Sequence, residues 1–147
     1  YRSLKEEVPE GYYTTEIGKA NIVSSGDELT IITYGLGVHW AVEEMKNRPD
    51  IQAEIIDLRS LVPLDKETIY NSVKKTGKAI VLHEDCISGG IGGELTALIT
   101  EHCFEFLDAP VLRVGSLNSP VPFAATIEAI FLPQDRFTKA VDQLLNY

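Results

Sequence analysis

Residues 29–45 read LTIITYGLGVHWAVEEM, and they hold two patterns in succession. Leu29 to Thr33 is rich in β-branched residues and almost uninterrupted in apolar character. Such a run suits a strand covered on both faces, as in a parallel sheet, better than a strand with one wet side. Val38, Ala41, Val42 and Met45 then recur at helical spacing. Asn47 to Asp50, with Pro49, ends that helix. A buried strand followed at once by an amphipathic helix is the repeating unit of an α/β domain.

The unit recurs in both directions. Asn21 to Ser24 reads as a short strand, and Ser25-Gly26-Asp27 turns the chain. Ala53 to Leu58 is the next strand, and Asp65 caps a helix that ends near Gly77. Lys78 to Leu82 is another buried strand. A glycine-rich turn follows it, then a helix with the stripe Ile91, Leu95, Leu98, Ile99 and Cys103. Val111 to Val114 is the last strand. Pro133 opens a closing helix whose inner face is Phe137, Ala140, Val141, Leu144 and Leu145. The reading predicts an α/β fold with about five strands, mostly parallel, and helices on both faces. Residues 1–13 are polar and mixed in charge and read as an extended arm, so the domain spans 14–147. The chain opens at Tyr1 rather than Met, which reads as an excised piece of something longer or a processed product.

Composition narrows the function. The 147 residues suffice for one domain with a real core. A net charge of −9 argues against a nucleic-acid partner, since phosphates need a basic surface, and is compatible with a basic protein partner. No apolar run reaches the roughly 18 residues that span a bilayer. Cys86 and Cys103 lack metal-ligand spacing and secretory context, so both read as reduced thiols.

The densest chemistry is His83-Glu84-Asp85-Cys86 followed by Ser88-Gly89-Gly90-Ile91-Gly92-Gly93-Glu94. It sits where a strand ends and a helix begins, the place at which open α/β sheets bind ligands. Yet no lysine follows the glycines as in a P-loop, and the G-x-G-x-x-G spacing is absent. The plain reading is a tight loop packed against a neighbour, with a phosphate site or a subunit contact as alternatives. His83 and Cys86 form a possible nucleophile pair, against the plainer reading of a loop cysteine beside a surface histidine. His83, Cys86 and His102 are too few for a metal centre. His102 falls on the apolar stripe and reads as hydrogen-bonded and half-buried. Trp40 reads as core or interface. Asp57 and Arg59 read as a pair shaping a strand end, and Ser119 to Phe123 as a stiff loop suited to a cis proline, or more plainly as the end of a strand and the start of a helix. No complete catalytic set emerges.

The order of segments carries a resemblance. VPEGYYTTEIGKA, TIITYG, AEIIDLRSLVPLDKETI, SVKKTGKAIVLHED, GGIGGE, LDAPVLRV, SPVPFA and FLP together resemble the second half of the beta subunit of 2-oxoacid dehydrogenases, over nearly the whole chain. Transketolase shares the domain more distantly. The resemblance implies a transketolase C-terminal-type domain of an enzyme that decarboxylates a 2-oxoacid and passes the acyl group to lipoamide. Thiamine diphosphate and magnesium belong to domains outside this chain, so this piece is expected to bind neither and to be inactive alone. Its implied partners are the other domains or the alpha subunit, a second copy in a weak dimer, and the basic subunit-binding domain of dihydrolipoyl acyltransferase. The resemblance assigns Gly89, Gly90, Ile91, Gly92 and Gly93 to the subunit contact. It assigns Asp108, before Ala109-Pro110, and the carboxylate of Tyr147 to acyltransferase docking. It places the enzyme in the bacterial cytoplasm or the mitochondrial matrix. Glu16 stands where the family usually has proline, and Leu117-Asn118-Ser119 replaces a stretch that usually ends in Asp-Thr. Tyr34-Gly35, Val38-His39 and Asn146-Tyr147 look more like branched-chain than pyruvate members. A stand-alone flavodoxin-like module, with a phosphate in the glycine-rich loop, is the competing reading.

Overall fold

The computed structural model describes residues 4, 5 and 7–147. Five strands form one sheet: β1 (Asn21–Ser24), β2 (Leu29–Thr33), β3 (Ala53–Asp57), β4 (Ala79–Cys86) and β5 (Leu112–Ser116). Their spatial order is β1-β3-β2-β4-β5, and only β1 runs antiparallel to its neighbour. The helices are α1 (Leu36–Lys46), α2 (Lys66–Thr76), α3 (Gly92–Cys103), α4 (Ala125–Phe131) and α5 (Gln134–Leu145).

The uninterrupted apolar run of β2 feeds two cores. Leu29 and Ile31 join Trp40 and Ala41 of α1 and Phe137, Val141 and Leu144 of α5 on one face. Ile32 joins Ile69 and Val73 of α2 and Leu95, Ile99 and Cys103 of α3 on the other. Successive side chains of a strand point to opposite faces, so a strand between two helical layers must be apolar throughout. Thr30, fully buried, stays within this rule by hydrogen-bonding Ser72 at 2.7 Å and Thr76 at 2.8 Å.

Local signals set the helix ends. Asp65 caps α2 by accepting from the Thr68 amide at 3.2 Å and its hydroxyl at 2.9 Å. The Ala20 amide, 45 residues earlier, donates to the same carboxylate at 3.0 Å, so the cap also fastens the segment entering β1. Burial alone would raise this carboxyl's pKa; the donors from Ala20 and Thr68 outweigh it and hold the group below its ordinary value. Gly77 ends α2 at φ 68°, a left-handed conformation that suits glycine. Asp57 pairs with Arg59 at 3.9 Å at the end of β3, as the sequence implied.

Three details differ from the sequence reading. Strand β4 continues to Cys86, so His83 to Asp85 lie on the strand rather than in a loop. The cis peptide is Val62-Pro63, not a bond of the Ser119 to Phe123 loop. The helix that the Ser119 to Phe123 loop was read to start is α4, but the sequence reading set no bounds for it, because six of its seven residues face outward and leave no core-facing stripe. Of the arm, residues 1–3 and 6 lie outside the described residues, and the rest of it is exposed without regular structure.

Candidate functional site

The carboxyl ends of β2, β4 and β5 bring Tyr34, His83 to Cys86, and Ser116 to one end of the sheet. His83 is the centre of this end and is fully buried, not the surface histidine expected from its loop-like sequence context. Its Nδ1 lies 3.0 Å from the Asp85 carbonyl. Its Nε2 is buried without a hydrogen-bond partner. Three glycines enclose the ring. A Cβ added at Gly92 would sit 2.5 Å from Nε2, one at Gly90 2.8 Å from Cε1, and one at Gly115 2.7 Å from Cε1. The close approach that Gly90 and Gly92 permit is therefore to a side chain of their own domain. Gly89 sits at φ 80° with open space around it, and a Cβ on Gly93 would make only an ordinary contact with Arg113 at 3.7 Å. Ile91 is half-buried and packs partly on the second core.

Burial in this cage holds the imidazole below its ordinary pKa. The Asp85 carbonyl and carboxylate oppose the shift, and Arg113 adds to it. The folded-state value lies below the unfolded value of about 6.5, so the unfolded chain takes up the proton first. Stability from this group is complete above about pH 6.5 and is lost as pH falls below it, by at most ~1.4 kcal/mol per pH unit. The stability advantage of wild type over His83→Asn should be constant above pH 7 and shrink toward pH 5. Urea unfolding across that range is the check, and a difference that ignores pH contradicts the buried neutral histidine.

Nucleophilic chemistry finds no support here. The Cys86 thiol turns toward the Leu117 carbonyl at 3.2 Å, away from any pairing with His83. His102 is exposed rather than half-buried; its Nδ1 meets the Leu98 carbonyl at 2.9 Å and its ring stacks on Tyr70 at 4.7 Å. It lies near the far end of α3 from His83, about 15 Å of helix away. Among the described residues no group of His, Cys, Asp and Glu is arranged to hold a metal ion, and no helix is long and apolar enough to cross a membrane.

A recess of about 350 Å³ does open at this end, lined by Tyr34, Glu84, Asp85, Cys86, Glu128 and Phe131, among others. Burial raises the Tyr34 phenol, and the Asp85 and Glu84 carboxylates add to that. Three carboxylates repel a phosphate, and His83 already fills the glycine cage. The glycine-rich loop therefore does not offer a phosphate the cradle of a flavodoxin-like module.

What this end does present is apolar surface. Val121, Ile127 and Ile130 are 66%, 57% and 68% exposed, and Phe123 is fully exposed. Ser88 and Asn118 join the glycine-rich loop to this segment by two hydrogen bonds, at 3.0 and 2.9 Å. The sequence reading missed this patch; the alternation of proline and large apolar residues from Pro120 to Phe123 was the available signal.

The two residues that the resemblance assigns to docking lie at the opposite end. Asp108 is exposed just before β5, and its amide donates to the Gly77 carbonyl at 2.8 Å. Helix α5 starts beside the carboxyl end of β5, where Arg136 meets the Gly115 carbonyl. It passes the Arg48–Asp142 pair beyond the end of α1, so it runs down to the amino ends of the strands. Tyr147 follows it there, 63% exposed.

The chain is thus a five-stranded, mostly parallel α/β domain in which Val121, Phe123, Ile127 and Ile130 stand exposed beside the carboxyl end of the sheet. Residues 18–136 match the model of the transketolase C-terminal domain, and the chain belongs to that family. It is 41% identical to the 2-oxoisovalerate dehydrogenase subunit beta of Bacillus subtilis (strain 168), over 100% of this chain and 46% of that protein. It is 43% identical to the pyruvate dehydrogenase E1 component subunit beta of the same organism, over 92% of this chain and 42% of that protein. A solved structure described as a split gene transketolase, inactive beta4 tetramer, superposes with a TM-score of 0.75 at 26% identity, covering 95% of this chain and 46% of that one. The chain thus spans about half the length of the curated relatives it matches.

Proposed function

We propose that this chain is the carboxy-terminal domain of the beta part of a thiamine diphosphate-dependent 2-oxoacid dehydrogenase, of the branched-chain type, and that it serves assembly and docking rather than chemistry. In this reading the cofactor and magnesium sit in parts outside this chain. An oxidoreductase is completed only with those parts and an alpha subunit, in a reducing compartment such as the bacterial cytoplasm. The observation that carries the reading is the contrast at the carboxyl end of the sheet. At the position where α/β enzymes bind ligands, His83 fills the glycine cage and carboxylates line the recess, while the surface beside it is apolar and exposed. Similarity to both 2-oxoisovalerate and pyruvate dehydrogenase subunits supports the class. The branched-chain assignment rests on Tyr34-Gly35, Val38-His39 and Asn146-Tyr147.

Two separate surfaces divide the work. The glycine-rich loop, through Gly89, Ile91 and Gly93, and the 117–130 segment meet a second subunit. Asp108 and Tyr147, at the amino ends of the strands, receive the basic subunit-binding domain of the acyltransferase. Opposite charge steers such an encounter, and its effect is screened over about 8 Å at physiological salt. Asp108→Asn, and a chain lacking Asn146 and Tyr147, should each bind that domain roughly five- to tenfold more weakly than wild type, with affinity falling as salt rises. Calorimetric titration checks this. Equal binding by all three, indifferent to salt, removes the docking assignment and leaves the family assignment standing.

A further inference from the structure

The sheet has one parallel edge strand, and a cleft of about 370 Å³ runs along it. Its floor is apolar, with Ile87, Leu112, Val114 and Ala140, and its charged lining residues are Arg113, Arg136 and Lys139. No carboxylate lines it, in a chain whose net charge is −9. Arg136 spends its hydrogen bonds on main-chain carbonyls, and Arg113 makes one long contact of 3.4 Å with the Ile87 carbonyl. Among the described residues neither guanidinium group pairs with a carboxylate.

The backbone of β5 shows which groups are open. The Ser116 carbonyl accepts from Ile87, which follows β4, and so faces into the sheet. The Gly115 carbonyl accepts from Arg136 and so faces out. Alternation along the strand then places the N–H and C=O of Arg113 on the outer edge beside the cleft. Leu112 and Val114 pack on the α5 side, which turns the Arg113 side chain to the α3 side, while Lys139 rises from α5. Cations therefore flank the open edge on both faces of the sheet.

We propose that the β5 edge receives an extended, acidic segment of a partner protein, which adds to the sheet as a sixth strand. Main-chain bonds to Arg113 hold it, and acidic side chains at successive positions reach Arg113 on one face and Lys139 on the other. Charged residues on a sheet edge also serve to repel stray strands. A guarding charge needs no recess with an apolar floor, and the cations here rim one. The cleft borders the proposed subunit surface at Leu117, Asn118 and Gly93 and lies apart from Asp108 and Tyr147.

The probe is a blocked peptide of ten alternating threonine and glutamate residues, with a lysine-for-glutamate counterpart and a version carrying N-methylated amides. Fluorescence anisotropy gives affinity, and NMR hydrogen exchange reads the Arg113 amide. The glutamate peptide should bind and slow exchange at Arg113 at least roughly tenfold, a change of about 1.4 kcal/mol in local opening. The lysine and N-methylated peptides should not bind. Arg113→Gln with Lys139→Gln should weaken binding at least tenfold. Absence of binding by the glutamate peptide overturns the proposal and marks the cations as guards. Equal binding by the N-methylated peptide overturns it in favour of a simple anion contact. Unchanged exchange at Arg113, or indifference to the double substitution, overturns it as well.

Discussion

Gly92→Ala should lower the unfolding free energy by about 3 kcal/mol, at the upper end of what one added methyl does in a packed interior. The added Cβ would stand 2.5 Å from Nε2 and 2.9 Å from Cδ2 of His83. The ring cannot swing aside, because Gly90 and Gly115 close its other flank and Nδ1 is bound to the Asp85 carbonyl. Two controls isolate the cause. Gly93→Ala, next in the same helix turn, should be neutral or stabilise by up to ~1 kcal/mol, since alanine favours the helix and meets only Arg113 at 3.7 Å. Gly92→Ala combined with His83→Ala should cost much less than the sum of the two single changes, because the clash disappears with the ring. Urea unfolding gives all the values. If Gly92→Ala and Gly93→Ala behave alike, the glycines are not there for His83.

The second large effect concerns Arg136. Its guanidinium donates to the carbonyls of Phe131 at 2.8 Å, Leu132 at 3.0 Å, Gly115 at 3.1 Å and Ile130 at 3.3 Å. One side chain thus ties the end of α4 and the turn before α5 to the edge of the sheet. A hydrogen bond to a charged group contributes roughly 1.5–3 kcal/mol, and carbonyls left unpaired add to the loss. Arg136→Ala should therefore cost about 3 kcal/mol, or roughly 6–12 °C in Tm for a domain of this size. Arg136→Lys should recover little, because a compact ammonium cannot reproduce the planar fork. Thermal unfolding followed by circular dichroism decides, and a lysine variant as stable as wild type contradicts this role.

Most of the fold was legible because burial leaves periodic marks. Ile31 and Ile32 read as neighbours in one strand, and each proves to serve a different core. Asp65 and Gly77 announced the ends of α2 through their side-chain chemistry. What the sequence hid were facts of three-dimensional proximity. His83 looked like a surface residue beside Cys86, whereas glycines from 90 to 115 converge on it from two elements. The glycine-rich loop read first as a tight loop packed on a neighbour, which it is, but spacing alone does not reveal that the neighbour is His83. The start of α4 was read from the loop before it, but its extent escaped because its apolar residues face outward, and a helix without a buried stripe has no amphipathic signature. The docking pair was named by resemblance only. Topology adds that Asp108 and Tyr147 share the amino end of the sheet, away from the apolar patch.

The open apolar surface at the carboxyl end of the sheet is, in the function proposed, a subunit contact. Ile91 is a poor handle for it, because that side chain also packs on the second core. Phe123 and Ile130 are exposed and can carry charge without disturbing the interior. Sedimentation equilibrium over a rising concentration range tests the claim most directly, comparing wild type with Phe123→Asp/Ile130→Asp. Wild type should populate a dimer at high concentration, and the doubly substituted chain should stay monomeric with the same Tm. A wild type that is monomeric throughout, or a variant that associates equally well, would contradict it.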